Sequence, residues 1–235
     1  MRGRYDRVAA FYDRAVVVER LFFPRARRRA VELLNLEPGE TVVDVACGSG
    51  KNLALLHAAV GESGRVVGVD WSTNMLAAAH ERVLRAGWLN VALLRADAAA
   101  LSMDELRNGA ILDDGDDIDA VICTFALSVI PRWQEAYRAM IGLPRDGGRV
   151  SELDVGYSAH RSPGEPIMYR ALWRLACRIT KAHGERQPWL RLGGITEAVE
   201  YFSKGYVAAG VGVIGAHSSG GGAGQVESAA APSCA

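Results

Sequence analysis

The sequence carries no excess charge of either sign: 27 Lys and Arg balance 27 Asp and Glu over 235 residues, so no global field draws it toward nucleic acid. It is poor in cysteine. Cys47, Cys123, Cys177 and Cys234 form no C-x-x-C pair and lack metal-ligand spacing, which argues for reduced thiols rather than a disulfide framework, and for no metal. Long apolar runs are missing too. The uncharged, largely apolar stretch over residues 120–131 falls short of the roughly 18 residues that suggest a membrane span. The opening Met1-Arg2-Gly3-Arg4-Tyr5-Asp6 has no apolar signal core, and a cytoplasmic protein is expected. What is present, 49% hydrophobic and 23% charged residues, is the composition of an ordinary globular α/β domain.

The charges are unevenly placed. Residues 1–29 carry nine Arg against Asp6, Asp13 and Glu19. Such an arm, with Phe22-Phe23 beside it, either rests on anionic lipid or an acidic substrate, or forms a solvated helix face. The acid run Asp113-Asp114-Gly115-Asp116-Asp117 has its glycine misplaced for a calcium loop and reads as a solvated turn.

Short β-rich runs alternate with segments of helical period, the pattern of a doubly wound, mostly parallel sheet with helices on both faces. Strands are expected at 40–46, 65–70, 90–95, 119–124 and 148–155, with helices at about 50–60, 72–86, 102–108 and 131–141 between them. Ser72 and Gly87 should cap one helix, Ser102 and Glu105 should form a capping box, and Pro131 suits a first helical turn. Two helices, 6–20 and 25–35, broken at Pro24, precede the first strand, and a further helix is expected near 166–183. Runs 198–203 and 206–214, parted by Lys204-Gly205, predict an antiparallel hairpin at the sheet edge. This gives an N-terminal helical lid over 1–36, a ligand-binding domain over 37–215 and, where Ser, Gly and Ala dominate, a disordered tail over 216–235.

The segment from Val42 to Leu53, VVDVACGSGKNL, is a buried strand running into a small-residue turn and a helix, a place where backbone N–H groups meet an electron-rich ligand. A Walker A loop needs glycine where Val45 stands and Ser or Thr where Asn52 stands. A dinucleotide fingerprint needs glycine at Leu53 and gives Asp44 no role. The segment resembles motif I of class I S-adenosylmethionine-dependent methyltransferases. That resemblance implies a Rossmann-like fold, S-adenosylmethionine as cofactor, Asp44 facing the methionine amino group, and Ala46, Cys47, Gly48 and Gly50 forming a turn that lets the cofactor approach. It extends to Val-Gly-Val-Asp70-Trp71-Ser72-x-x-Met75, with Asp70 on the ribose hydroxyls and Trp71 and Met75 against adenine. It also takes in Asp97-Ala98 at the adenine amino group, and the loop from Thr124 to Val129, where Thr124 borders the cofactor and the cleft opens toward the acceptor.

The N-terminal Arg4-Tyr5-Asp6-x-x-Ala9-x-x-Tyr12-Asp13 and the run Phe125 to Pro131 look like the group containing ubiquinone/menaquinone C-methyltransferases and bacterial phospholipid N-methyltransferases. The run Gly205 to Gly210 leans to the phospholipid-like branch. The expected acceptor is therefore small or lipid-derived, with an amine preferred and an O- or C-acceptor such as a quinone precursor as the alternative. Peripheral membrane contact would accompany a lipid acceptor. Tyr5 and Tyr12 are the candidates for orienting it, and His160, just past the fifth strand, for a base. An NAD(P)-dependent oxidoreductase, or a cofactor-binding protein without methyl transfer, stays open at this level.

Overall fold

The structure, a computed structural model, describes residues 23–109, 111–155, 183, 186, 188, 196–202 and 206–215. Tyr5, Tyr12, Phe22, the helices expected at 6–20 and 166–183, His160, Cys177 and the tail fall outside the described residues.

The described elements run α1 (Pro24–Leu33), β1 (Thr41–Val45), α2 (Leu53–Val60), β2 (Arg65–Asp70), α3 (Thr73–Ala86), β3 (Val91–Arg95), α4 (Met103–Asn108), β4 (Ala120–Thr124), α5 (Trp133–Ile141), β5 (Arg149–Val155), β6 (Thr196–Phe202) and β7 (Val207–Val213). They form one seven-stranded sheet in the order β3-β2-β1-β4-β5-β7-β6. The first five strands are parallel; β7 runs antiparallel to both β5 and β6, so the expected hairpin forms and β6 is the edge.

Because helices cover both faces, the inner strands are buried on both sides, and β1, β2 and β4 are apolar at nearly every position. Val42, Val66, Ala120, Ile122 and Leu153 point to one core, shared with α1, α2 and α3. Val43, Val67, Val121, Cys123 and Val150 point to the other, shared with α4 and α5. The turn chemistry is as expected in most places. Ser72 accepts from Met75 N at 3.4 Å, Gly87 closes α3 in the left-handed region, and Ser102 accepts from Glu105 N at 3.2 Å. Each such cap is worth about 1 kcal/mol.

One local expectation is corrected. Pro131 lies outside α5, which starts at Trp133 after an Arg132 cap, because the tight loop that leaves β4 continues through Ile130. The second of the two expected N-terminal helices begins as α1 at Pro24, in a first turn where the missing N–H costs nothing. In addition, α1, which falls in the stretch expected as a lid, buries Ala26, Ala30 and Leu34 in the first core, and its Ala30 carbonyl accepts from the Ser151 hydroxyl at 2.9 Å. It is part of the sheet's cover. Two of its arginines are committed inside the fold: Arg29 forks onto Glu200 of β6 at 2.7–3.0 Å, and Arg27 enters the cleft described below, while Arg25 and Arg28 stay exposed.

Candidate functional site

The strand order reverses at β1, with β2 on one side and β4 on the other, so the chain leaves β1 and β4 in opposite directions and opens a crevice at their carboxyl ends. The turn after β1 is strained there. Ala46, Gly48 and Gly50 have φ of 56°, 56° and 76°, and Phe125 just past β4 has φ of 55°. A left-handed Ala or Phe costs on the order of 1 kcal/mol or more, and such outliers concentrate where backbone must meet a ligand.

The two glycines differ in what surrounds them. A Cβ on Gly48 would meet nothing within 4 Å, so this residue faces open space. One on Gly50 would lie 2.6 Å from Leu53 Cδ1 and 3.2 Å from Ala79 Cβ, so Gly50 is small because α2 and α3 close upon it. Cys47 presents its backbone only: its sulfur lies 3.1 Å from a Cβ built on Gly68, over β2, and burial raises its thiol pKa.

Asp70 shapes the turn from the neighbouring strand. Its carboxylate accepts from Gly48 N at 2.9 Å and from Ser72 N at 2.8 Å, leaving further lone pairs on both oxygens for two hydroxyls. Burial raises its pKa, and the backbone donors partly offset this. Trp71 is 52% exposed, with the Arg95 guanidinium 5.0 Å over its ring. An exposed indole beside a cleft is free to cover a flat heterocycle, which ordinary core packing would not leave it to do. Met75 is half-buried on α3. Asp97 accepts from Ala99 N at 2.9 Å, the turn role of a strand-end Asp, and also takes Arg132 at 2.7 Å; Ala98 follows it half-buried.

Beneath the turn lies a polar network that the motif does not announce. Asp44 is fully buried on β1 and accepts from the Asn52 amide at 3.1 and 3.2 Å. The same amide nitrogen reaches Thr124 Oγ1 at 3.0 Å, while Arg27 Nη1 donates to Asn52 Oδ1 at 3.0 Å and to Thr124 Oγ1 at 2.6 Å. Burial pushes Asp44 up to about 7, with the Asn52 hydrogen bond and the Arg27 charge pulling the other way and Asp70 adding repulsion. Arg27 also lies 4.8 Å over the Phe125 ring, whose centroid is 4.8 Å from that of Phe23 with the two rings tilted by 38°.

The loop leaving β4 is held from two sides. Asp154 accepts from Ser128 N and Oγ, both at 2.6 Å, and Arg186 donates to the carbonyls of Leu127 and Ile130 at 2.7 and 2.6 Å. Burial raises Asp154 to about 6 against those donors.

The structure therefore gathers Asp44, Ala46, Gly48, Asp70, Trp71, Met75, Asp97, Ala98 and Thr124 along one crevice. Asn52 and Arg27 were not anticipated. The available signal for Arg27 was its place on the stripe Phe23, Arg27, Val31 at helical spacing, an arginine on the covered face of α1. The crevice fits S-adenosylmethionine on its own chemistry. It offers a buried carboxylate for an ammonium, a second carboxylate with spare lone pairs for a diol, an exposed ring for a base, and a backbone turn whose one open glycine a side chain would fill.

Comparisons with known proteins agree. A family model described as "Methyltransferase domain" matches residues 42–148. The demethylmenaquinone methyltransferase of Shouchella clausii is 27% identical over 172 residues, 70% of this chain and 67% of that protein. The one from Listeria monocytogenes is 26% identical over 171 residues, 72% and 67%. Among solved structures, a SAM dependent methyltransferase from Aquifex aeolicus has 21% identity and a TM-score of 0.56, covering 83% of this chain and 92% of that one. An O-methyltransferase family protein from Burkholderia thailandensis has 21% identity and a TM-score of 0.62, covering 88% and 59%. At these identities the two structures speak for the fold.

Proposed function

We propose, for a chain that is a class I S-adenosylmethionine-dependent methyltransferase, that the methyl acceptor is a lipid-derived aromatic ring of the demethylmenaquinone kind. The observation that carries the methyltransferase chemistry is the strained turn with Asp44 beneath it and Asp70 beside it. The acceptor rests on the curated relatives, whose names point to a quinone precursor over most of this chain's length.

Bound in the crevice, the cofactor supplies a methyl group activated on a sulfonium. The protein's part is to hold donor and acceptor close, in line and away from water. Asp44 takes the ammonium, Asp70 the ribose hydroxyls, and Trp71 with Met75 the adenine. Gly48 leaves room for the cofactor against the backbone. Phe125 and the loop to Ile130, pinned by Asp154 and Arg186, form the wall where an apolar acceptor would lie. An aromatic face such as Phe125 also favours a nearby cation. Tyr5 and Tyr12 remain proposed acceptor contacts and His160 a proposed base. Arg25 and Arg28 remain available for an anionic lipid surface. No helix among the described residues is long and apolar enough to cross a membrane.

Labelled S-adenosylmethionine offered with a reduced demethylmenaquinone analogue, phosphatidylethanolamine and small amines tests the reading. Label in the naphthoquinol ring carbon is the expected result. Label appearing only in the ethanolamine lipid overturns the ring acceptor in favour of an amine.

A further inference from the structure

The two edges of the sheet are built differently. At β6 the ladder shifts register between Thr196 and Ala198, the strand carries Glu200, and Arg29 of α1 forks onto that carboxylate. Irregular register and charge are the usual means of keeping an edge from pairing with another chain. At β3 neither is present. Its register with β2 runs unbroken from Val66↔Val91 to Asp70↔Arg95, and Val91-Ala92-Leu93-Leu94 holds no charge and no proline. Among the described residues no strand lies beyond β3, and those four residues are only half-buried.

The helix over this edge keeps its charges elsewhere. Successive helical residues turn by about 100°, and Ala79 and Val83, buried in the first core, fix which way α3 faces. Glu81, Arg82 and Arg85 fall on the crest and one flank. Arg82 donates to the Ser49 carbonyl at 3.2 Å, which turns that flank toward the loop after β1. The opposite flank, with Ala77, His80 and Leu84, therefore overhangs the free side of β3. It contains no carboxylate, lysine or arginine and it is exposed, Leu84 at 66%; Leu89, just ahead of β3, is fully exposed.

We propose that β3 pairs antiparallel, across a two-fold axis, with β3 of a second copy of this chain, joining the two sheets into one. A second copy fits because the patch is self-complementary. The free N–H and C=O groups of one strand meet an identical row, and the facing α3 flanks bring Ala77 and Leu84 together with no like charges opposed. Spacing agrees. Since α3 lies over both β2 and β3, strands about 4.8 Å apart would set the two α3 axes about 10 Å apart, a distance at which helices pack. The seam leaves open the crevice at the carboxyl ends of β1 and β4, so the proposal stands independently of the cofactor reading.

Sedimentation of the full chain over a concentration series, with hydrogen exchange read strand by strand, tests it. A dimer should form in roughly the micromolar range, as suits a small interface. The outward amides of β3 should exchange at least tenfold more slowly at high concentration than at low, with β6 unchanged. Leu84→Arg combined with Leu89→Lys, both at exposed positions, should leave the thermal melt unchanged and weaken the dimer at least tenfold. If that variant does not fold, the concentration dependence of exchange carries the test. A chain that stays monomeric throughout overturns the proposal and leaves the edge to the strand of another protein. A dimer that the double variant leaves intact, or whose β3 amides exchange equally at every concentration, uses another face and overturns it too.

Discussion

Cofactor affinity should depend on the proton of Asp44. Burial holds this carboxyl near 7, against its ordinary 3.8, so around neutral pH about half of the free protein carries it protonated. A cofactor ammonium needs the ionised form. As pH falls below 7 that form becomes scarcer by a factor of ten per unit, and binding must remove the proton at a cost of about 1.4 kcal/mol per unit. From pH 7.5 to 5.5 the dissociation constant for S-adenosylhomocysteine should rise roughly twentyfold, a range in which an amino group stays cationic. Asp70, also raised by burial, faces neutral hydroxyls and accepts two backbone N–H groups, so its share should be smaller. Titration calorimetry at several pH values, in pairs of buffers with different ionisation heats, measures both the affinity and the released proton. Asp44→Asn should bind weakly with a flattened profile. A flat wild-type profile, or a wild-type slope retained in Asp44→Asn, would refute the argument.

Asp70→Ala should lower S-adenosylhomocysteine affinity at least tenfold by removing charge-assisted contacts of about 1.5–3 kcal/mol; unchanged affinity in calorimetry would remove this residue from the site. Gly48→Val should abolish cofactor binding with little loss of stability beyond the strain of its positive φ, whereas Gly50→Ala should lower stability by about 1–3 kcal/mol through its clash with Leu53; thermal melts beside binding curves separate the two, and the reverse pattern would refute the distinction. Glu152 is fully buried, neither carboxyl oxygen has a hydrogen-bond partner, and burial with nearby Asp154 raises its pKa well above 4.5. Stability available below about pH 4.5 is therefore lost as pH rises, so Glu152→Leu should melt higher than wild type by a margin that widens between pH 5.5 and 8; a margin independent of pH would refute the assignment.

The sheet was legible because parallel strands buried on both faces need apolar residues at nearly every position, and β1, β2 and β4 have them. Caps at Ser72, Gly87 and Ser102 were legible because their chemistry is local. Asp44, Gly48 and Asp70 stood out through a spacing that a nucleoside imposes. Asn52 and Arg27 did not, since their meaning depends on α1 meeting β4 across 97 residues of sequence. By charge alone Arg27 is indistinguishable from Arg25 and Arg28. The different duties of Gly48 and Gly50 were hidden for the same reason: only the approach of Leu53 and Ala79 tells them apart. Pro131 misled because a proline suits the position before a cap as well as the first turn.

The placement of α1 has a consequence for biosynthesis. This helix is made early, yet its seat includes β5 and β7, and its Arg29 is held by Glu200 of β6, the strand made just before β7. A nascent chain that has released β1 to β4 already holds Asp44, the glycine turn, Asp70 and Thr124, and it offers Arg27 its partners Asn52 and Thr124, but it lacks the β5 and β7 part of the seat of α1. Closing the Arg29–Glu200 contact brings together segments 171 residues apart, a loop whose entropy must be overcome before α1 is fully seated. Translation order thus works as a checkpoint: ribosome-bound fragments ending before β7 should capture cofactor poorly, and the finished chain should gain its affinity in one late step.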